Sequence, residues 1–334
     1  MFTPVETACG ALLLHQATSV LLSNTGKPLG VSGMLRRCVA APSRSTLAIC
    51  FLIGMVLSFL PVYLLLPSLL PTYPVFERTW RAALWTVGIG ALTGWGTKNS
   101  NGCTSGHMLS GLSHLSGRSA LAVAIFFPTA LLTSLLSSSS SSADALPPCA
   151  SSTNSNNHMP YYTPSYPPAS KTARLVLLVA LLVFQNLALP RLLRDAPKST
   201  AREAISVLSG LEFGLGLLIS GMASPLKVVR FFALASPRPA AFNPSLSLIL
   251  LFGTLPSLLL NLHHRPSRPS ATSPAFDRKW HLPTKTARDV DWRFGVAWGL
   301  AGVCPGPAVL RAVVQPEWGV LWAAGFWAGC VVPL

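Results

Sequence analysis

Two cysteine-centred turns are the parts of this sequence whose residue types and spacing could do chemistry. The first spans residues 98–107 and reads Lys-Asn-Ser-Asn-Gly-Cys-Thr-Ser-Gly-His, with Cys103 between two glycines. The second spans residues 302–308 and reads Gly-Val-Cys-Pro-Gly-Pro-Ala, with Cys304 ahead of two prolines that fix the backbone. Thiols, hydroxyls and the unpaired N–H groups at a helix start can donate hydrogen bonds to an oxyanion. Both turns are predicted to bind a small anion; the alternatives are a helix-packing loop and a proline kink, respectively.

The candidate binding residues lie in three turns. Two are the cysteine turns, and the third is a Ser-Gly-Met turn at residues 220–222, between them in the sequence. Lys98 is expected to add electrostatic attraction at the mouth of the pathway. The predicted pathway residues are Lys98, Asn101, Gly102, Cys103, Thr104, Ser105, Gly106, His107, Ser220, Gly221, Cys304, Pro305 and Gly306.

Metal binding and nucleophilic catalysis are two further chemistries that a Cys–His pair could support. A structural zinc site needs four ligands, and only Cys103 and His107 lie together in the sequence. A cysteine nucleophile needs a lowered thiol pKa and a third group that orients its base. No Asp or Glu lies between Arg78 and Asp144 to supply that group locally. We therefore predict neither an enzyme nor a resident cofactor or metal.

The elements that position these turns are predicted from the shortage of charge. Half of the 334 residues are hydrophobic, 10% are charged and the mean hydropathy is +0.49, whereas a soluble domain carries about 25% charged residues. Three stretches without Asp, Glu, Lys or Arg, at residues 45–76, 119–143 and 239–264, each exceed the roughly 20 residues that cross a bilayer. The chain is predicted to be an all-α, polytopic integral membrane protein of the plasma membrane or an organelle membrane, with the lipid bilayer as a partner.

The net charge of +15 is concentrated in clusters between the apolar stretches, at residues 27–44, 191–202 and 265–293. Such clusters are typical of segments beside anionic headgroups. A nucleic-acid-binding face would instead combine cations with interleaved aromatics on a soluble domain, so nucleic acid is not predicted as a partner. The seven cysteines are dispersed and odd in number, which does not indicate a disulfide framework.

Full-length membrane helices are predicted in five stretches, and shorter glycine-rich segments in three more. The full-length stretches are residues 46–66, 118–136, 174–189, 243–262 and 318–334. The glycine-rich segments are residues 82–97, 213–226 and 294–310, which are marginal as complete spans. Glycine at every third or fourth position allows close helix packing, and Gly and Pro at the segment ends predict broken or re-entrant helices beside a cavity. A short helix is expected at residues 107–115, and the tryptophans, Trp298 among them, are expected at membrane interfaces.

An internal repeat is predicted from two pairs of matching motifs. Gly-Val-Ser-Gly-Met at residues 30–34 matches Leu-Ile-Ser-Gly-Met at 218–222, and the glycine-rich segment before Cys103 matches the one before Cys304. Paired interrupted segments in two halves are a sequence sign of a transporter's binding site. A serine- and proline-rich stretch between the halves is typical of a flexible linker. The predicted organisation is a first membrane repeat at 1–136, a linker at 137–171 and a second, pseudo-symmetric repeat at 172–334.

These motifs resemble those of the YeeE/YedE family of sulfur transporters. Asn-Gly-Cys-Thr-Ser-Gly-His at residues 101–107 is similar to one signature of that family, and Gly-Leu-Ala-Gly-Val-Cys-Pro-Gly-Pro-Ala at 299–308 is similar to a second. The resemblance implies uptake of thiosulfate along a narrow path, in which Cys103 and Cys304 pass the anion inward through S–H hydrogen bonds. The bacterial carriers also have an early cysteine in an aromatic-rich motif, and neither Cys9 nor Cys38 lies in such a motif here.

The predicted function is membrane transport of a small sulfur-containing anion, with thiosulfate as the first candidate. One alternative keeps transport and changes the cargo to another sulfur compound or a selenium species. A second is a membrane-bound sulfurtransferase in which Cys103 forms a persulfide, and a third is a membrane scaffold that transports nothing. The expected partners are the anion itself and a cytosolic sulfur-acceptor protein.

Overall fold

The computed structural model describes residues 1–40, 45–140, 160–235, 241–264, 273–282 and 290–332. Within these ranges the chain is helical throughout its regular structure, with one isolated β-bridge between Phe2 and Pro164. The α-helices are α1 Pro4–Thr25, α2 Val31–Ala40, α3 Thr46–Leu57, α4 Phe59–Leu65, α5 Trp80–Asn99, α6 Gly117–Ser140, α7 Ala169–Leu192, α8 Lys198–Ser220, α9 Pro225–Phe232, α10 Ser245–Ile249, α11 Leu255–His264, α12 Arg293–Ala301, α13 Pro305–Val314 and α14 Pro316–Val331. A π-helix covers Ser105–Gly111, and a second, Leu250–Thr254, joins α10 to α11.

Six helical stretches in the described ranges are long and apolar enough to cross a membrane. They are Pro4–Thr25, Thr46–Leu65, Gly117–Ser137, Ala169–Leu192, Lys198–Ser220 and Ser245–His263. A seventh candidate is the pair α12 and α13, which is bent by 41° at a short break. The predicted all-α, multi-pass membrane architecture is therefore confirmed.

Side-chain burial separates a central helix from a peripheral one. Helix α8 is buried along its second half, and its Leu215 and Ser220 have no exposed surface. Helix α7 instead exposes large apolar side chains, including Leu177 and Phe184, which are 70% and 68% accessible. In a protein with membrane-spanning helices, such apolar surface faces lipid. The bundle is thus built around α8 and α1, with α7 at its edge.

Close backbone contact at glycines holds the helices together in parallel or antiparallel pairs. A Cβ atom at Gly94 of α5 would overlap the Phe326 carbonyl oxygen of α14, and one at Gly299 of α12 would overlap that of Ala130 in α6. A Cβ at Gly210 of α8 would overlap the carbonyl of Phe51 in α3. Small residues are the usual means by which membrane helices approach this closely, because lipid supplies no hydrophobic force between helices.

Several buried hydroxyl side chains are satisfied within their own helix. In α5, Thr93 donates to the carbonyl of Ile89 at 2.7 Å and Thr97 donates to that of Thr93 at 2.7 Å. These bonds remove the cost of placing a polar group where water cannot reach it.

Two of the three glycine-rich segments differ from the sequence prediction of short pieces. Residues 213–226 do not form a short helix, because α8 begins upstream at Lys198 and runs for 23 residues to Ser220. Residues 82–97 lie inside the 20-residue helix α5, and the chain breaks only after it. Glycines inside these two helices, such as Gly90 and Gly216, serve packing, whereas Gly221 ends α8 in the left-handed conformation, so the break predicted at the end of segment 213–226 is present. The third segment is broken as predicted, between α12 and α13.

The predicted linker at 137–171 is ordered at both ends. Helix α6 extends into the serine tract as far as Ser140, residues 141–159 lie outside the described ranges, and α7 begins at Ala169. Before α7 the chain meets the N-terminus, where the amide of Ser165 donates to the carbonyl of Phe2 at 2.8 Å. The guanidinium of Arg230 lies over the ring of Tyr161, 3.6 Å from its centroid.

Substitution of Gly94 tests the glycine contacts. The change Gly94→Ala forces α5 and α14 apart, because the new Cβ overlaps the Phe326 carbonyl. We expect a loss of about 1–3 kcal/mol of stability, the usual cost of overpacking, measured as a lower thermal midpoint in detergent.

The matched control is Gly88→Ala on the same helix. Among the described residues, no atom outside the local helix backbone lies within 4 Å of a Cβ at Gly88, and alanine has the higher helix propensity. We therefore expect an unchanged or higher midpoint for this variant. Equal midpoints for the two variants would show that α5 and α14 do not depend on this contact.

Candidate functional site

The turn that carries Cys103 is shaped by a reversal at the end of α5. The chain leaves the helix through Asn101, whose φ is +53°, and the amide of Gly102 returns to the carbonyl of Thr97 at 3.0 Å. The π-helix then begins next to Cys103, whose carbonyl accepts from the His107 amide at 2.8 Å. This short helix, continued by a 3₁₀ turn at Leu112–His114, is the one predicted at residues 107–115, starting two residues earlier.

His107 supports this turn from behind. Its ring nitrogens bond the Ser100 carbonyl and the Ser119 hydroxyl, each at 3.1 Å. A Cβ at Gly102 would lie 2.6 Å from the ring, so glycine is needed where the imidazole packs. The carbonyl of Ser100 also accepts from Arg118 at 2.7 Å. His107 is therefore committed to holding the turn.

The turn that carries Cys304 forms where α12 ends at a left-handed glycine. Gly302 has φ of +63°, and its amide donates to the Trp298 carbonyl at 2.8 Å. A side chain at this position would also collide with the Pro225 carbonyl, so two constraints require glycine. Cys304 is the N-cap of α13, with Pro305 at the first helical position.

The two turns meet through one hydrogen bond between side chains 200 positions apart in sequence. The Thr104 hydroxyl donates to the Cys304 sulfur at 3.2 Å. On the other side of Thr104, the Cys103 sulfur lies 3.2 Å from the Ser105 hydroxyl, which also accepts from the Val31 amide at 3.3 Å. Cys103 and Cys304 are 1% and 8% exposed, so both thiols lie inside the protein.

Both thiols border one cavity of about 70 Å³ at the centre of the bundle. Since roughly 10–15 Å³ holds one water molecule, the cavity has room for several waters or one small ion. Its polar side chains are Cys103, Thr104, Ser105, Cys304 and Trp298, and among the described residues no Asp, Glu, Lys, Arg or His side chain lines it. The remaining wall is apolar and includes Phe213, Leu217 and the thioethers of Met108 and Met222.

Of the predicted pathway residues, Cys103, Thr104, Ser105, Cys304 and Gly306 line the cavity. The other eight lie outside its wall. They are Lys98, Asn101, Gly102, Gly106, His107, Ser220, Gly221 and Pro305.

Several residues outside the wall have identifiable roles of their own. Lys98 is at the surface, where its ammonium donates to the Val332 carbonyl at 2.8 Å. The Ser220 carbonyl, next to the left-handed Gly221, accepts from the Lys227 ammonium at 2.7 Å. These contacts stabilise helix ends at some distance from the thiols.

Trp298 is the cavity residue that sequence reasoning missed. Tryptophans were predicted at the membrane interfaces; Trp80 and Trp85 are exposed, whereas Trp298, Trp318 and Trp322 are buried, and Trp298 is only 2% accessible. Its position four residues before Gly302 was the one available signal, because one helical turn separates the two. Neither early cysteine lines the cavity: Cys9 and Cys38 are both partly buried elsewhere.

This fold and cavity define an integral membrane protein with a thiol-lined internal site. A family model described as a family of unknown function, DUF6691, matches residues 203–332. No solved structure matches the chain.

Curated relatives from the bacterium Xylella fastidiosa are named "Probable transporter". One, from strain Temecula1, is 34% identical over 144 residues, covering 40% of this chain and 89% of the relative. From strain 9a5c, one is 34% identical over 143 residues, covering 40% and 90%, and another is 35% identical over 127 residues, covering 37% and 88%. The chain belongs to the family of these membrane proteins.

Removal of the Thr104 hydroxyl tests the contact between the turns. The change Thr104→Val keeps the shape of the side chain and deletes the hydrogen bond to Cys304, a loss of about 1 kcal/mol. We expect Cys304 to react roughly fivefold faster with N-ethylmaleimide, the factor that this energy represents. Peptide mapping by mass spectrometry measures the rate at Cys304 alone.

A suitable control is Thr93→Val, which deletes a buried hydroxyl that bonds only within α5. Its Cys304 reactivity should equal that of the unmodified protein. The same rate in both variants would mean that this bond does not hold the turns together.

Proposed function

We propose that this protein is a transporter that moves a small sulfur-containing anion, with thiosulfate as its substrate, through the cavity between Cys103 and Cys304. The observation that carries the proposal is the meeting of two thiol-bearing turns, from distant parts of the chain, around one cavity lined by buried side chains. The resemblance of both turns to YeeE/YedE signatures supports the same substrate. The family named "Probable transporter" supports transport.

The wall chemistry suits passage rather than tight binding. Thiols and hydroxyls are weak, adjustable donors, and sulfur is polarisable enough to contact the terminal sulfur of thiosulfate. A fixed ammonium or guanidinium would hold an anion strongly, and the described cavity wall contains none. Transport requires binding that is favourable enough for entry and weak enough for release.

The start of α13 adds partial positive charge at the cavity. Its first residues include Pro305 and Pro307, which have no backbone N–H, so Gly306 supplies the free amide between them. Gly306 lines the cavity next to Cys304. A half-helix whose N-terminus points at an anionic substrate is a recurrent feature of secondary transporters.

The two halves, 1–136 and 172–334, are proposed to be inverted repeats that rock about this cavity. Helices α1 and α8 each end at a left-handed glycine, Gly26 and Gly221, and each precedes a short helix. They lie antiparallel, since Gly10 of α1 packs on Gly216 near the end of α8. The parallel pair α5–α14 is proposed to correspond to the parallel pair α12–α6, with α5 and α12 as equivalent helices of the two repeats. Helix α7 has no counterpart in the first half.

A sulfurtransferase with a Cys103 persulfide is the alternative from another class. Such an enzyme needs a base close to the thiol. The recorded side-chain partner of Cys103 is Ser105, and both nitrogens of His107 are engaged elsewhere. Transport is therefore the better reading, and no metal, cofactor or catalytic residue enters the proposal. A selenium compound, sulfite or sulfide remains an alternative cargo, and a cytosolic sulfur-acceptor protein a candidate partner.

The cysteines provide the direct test. In a sulfur-auxotrophic host that expresses the full chain, Cys103→Ala and Cys304→Ala should each reduce uptake of radiolabelled thiosulfate at least tenfold, because each removes a wall donor. Membrane levels of the protein, measured by immunoblot, should stay unchanged.

Cys330→Ala is the matched control, since Cys330 lies on α14 and its thiol donates to the Gly94 carbonyl away from the cavity. Normal uptake is expected for this variant. Normal uptake by both cavity variants would refute the proposed pathway. If unlabelled sulfite or selenite inhibits uptake of radiolabelled thiosulfate more strongly than unlabelled thiosulfate does, the competing ion is the preferred substrate instead of thiosulfate.

A further inference from the structure

The indole N–H of Trp298 is a buried donor with no strong acceptor among the described residues. Trp298 lines the cavity and is 2% exposed. Its Nε1 faces the Cys304 sulfur, which is only a weak acceptor, and no hydrogen bond of normal geometry forms there or to any other group in the described part of the chain. Buried donors are normally paired, and an unpaired one in a native site requires an explanation, of which an absent ligand is one.

The ring is held in a fixed orientation. Trp298 stacks on Phe294, with ring centroids 6.1 Å apart and planes 8° apart. Phe232 meets it edge-on at 4.8 Å and 90°, and Phe126 lies 5.8 Å away. With Phe127 as a fourth neighbour at 6.3 Å, the ring cannot turn its N–H towards another acceptor, so the donor is preorganised.

The two hydroxyl groups of the wall are already engaged. The Thr104 hydroxyl donates to Cys304, and the Ser105 hydroxyl bonds both Cys103 and Val31. An ion that enters the cavity finds two thiol groups, the backbone amide of Gly306 and the indole N–H. Indole is a donor only and carries no lone pair that would repel an anion.

We propose that Trp298 is an anion-binding residue of the transport cavity, and that its N–H donates to an oxygen of the bound ion. This inference rests on the proposed function, because it concerns the same cavity and the same class of substrate. It assigns the oxygen end of thiosulfate to the Trp298 side of the cavity. An uncharged N–H can bind the ion without the retention that a fixed cation would cause.

Two replacements remove the N–H while keeping an aromatic ring. One is Trp298→Phe; the other replaces Trp298 with 3-benzothienylalanine, in which sulfur takes the place of the ring N–H and the shape is retained. With the full chain purified in detergent, calorimetric titration with sodium thiosulfate should show a Kd raised about tenfold for both. This factor is typical of losing one hydrogen bond to a charged group.

Trp322→Phe is the matched control. Trp322 is similarly buried, at 3% exposed, and its Nε1 has no partner among the described residues. It stacks on Trp318 and Phe326 and does not line the cavity. Its Kd should stay within about twofold of the unmodified value. Thermal midpoints without ligand report any general loss of packing in the two Phe variants.

Three outcomes would overturn the inference. An unchanged Kd for the benzothienylalanine protein would exclude the N–H as a ligand donor, and an equal rise in Kd for Trp322→Phe would assign the effect to packing. In both cases thiosulfate binding by the unmodified protein would leave the proposed function standing. No thiosulfate binding by the unmodified protein would instead remove the proposed substrate and this inference with it.

Discussion

The structure depends on backbone-to-backbone contact between helices at glycine. At Gly94, Gly210 and Gly299 the neighbouring helix places a carbonyl where a Cβ atom would stand. Such contacts replace the hydrophobic force that is missing between helices in lipid. They also fix the positions of α5 and α12 along the helix axes, relative to their partner helices. The ends of α5 and α12, which lead into the two cysteine turns, are thereby placed. Without this close approach the cysteine turns would not reach each other.

The two turns use different means to reach the same position. The first is a loop braced by His107, Ser100 and Arg118, and the second is a glycine-proline turn that needs no polar support. The single Thr104–Cys304 hydrogen bond joins them. The two turns of the cavity wall are therefore stabilised by contacts on the side away from the cavity. Their thiols and hydroxyls are the groups that face a ligand.

Weak donors in an apolar internal cavity give a consistent account of anion passage. The cations of the first turn lie outside the wall: Lys98 is at the surface and Arg118 bonds a backbone carbonyl. A positive charge near the pathway can attract an ion without binding it in the cavity. Inside the cavity, anion selectivity depends on the shape of the wall, on the polarisable sulfur atoms and on the few oriented N–H groups.

The sequence by itself determined the membrane environment, the helical class, the break after Gly302 and the two cysteine turns. Shortage of charge and the placement of Gly and Pro are local properties, so composition and spacing reveal them. Tertiary structure alone decided that most glycines of 82–97, together with Gly214 and Gly216, pack against neighbouring helices inside longer helices than the sequence predicted. It also turned His107 away from the cavity and placed Trp298 in its wall. Helix packing decides which face of a helix meets which neighbour, and no local pattern in the sequence records that choice.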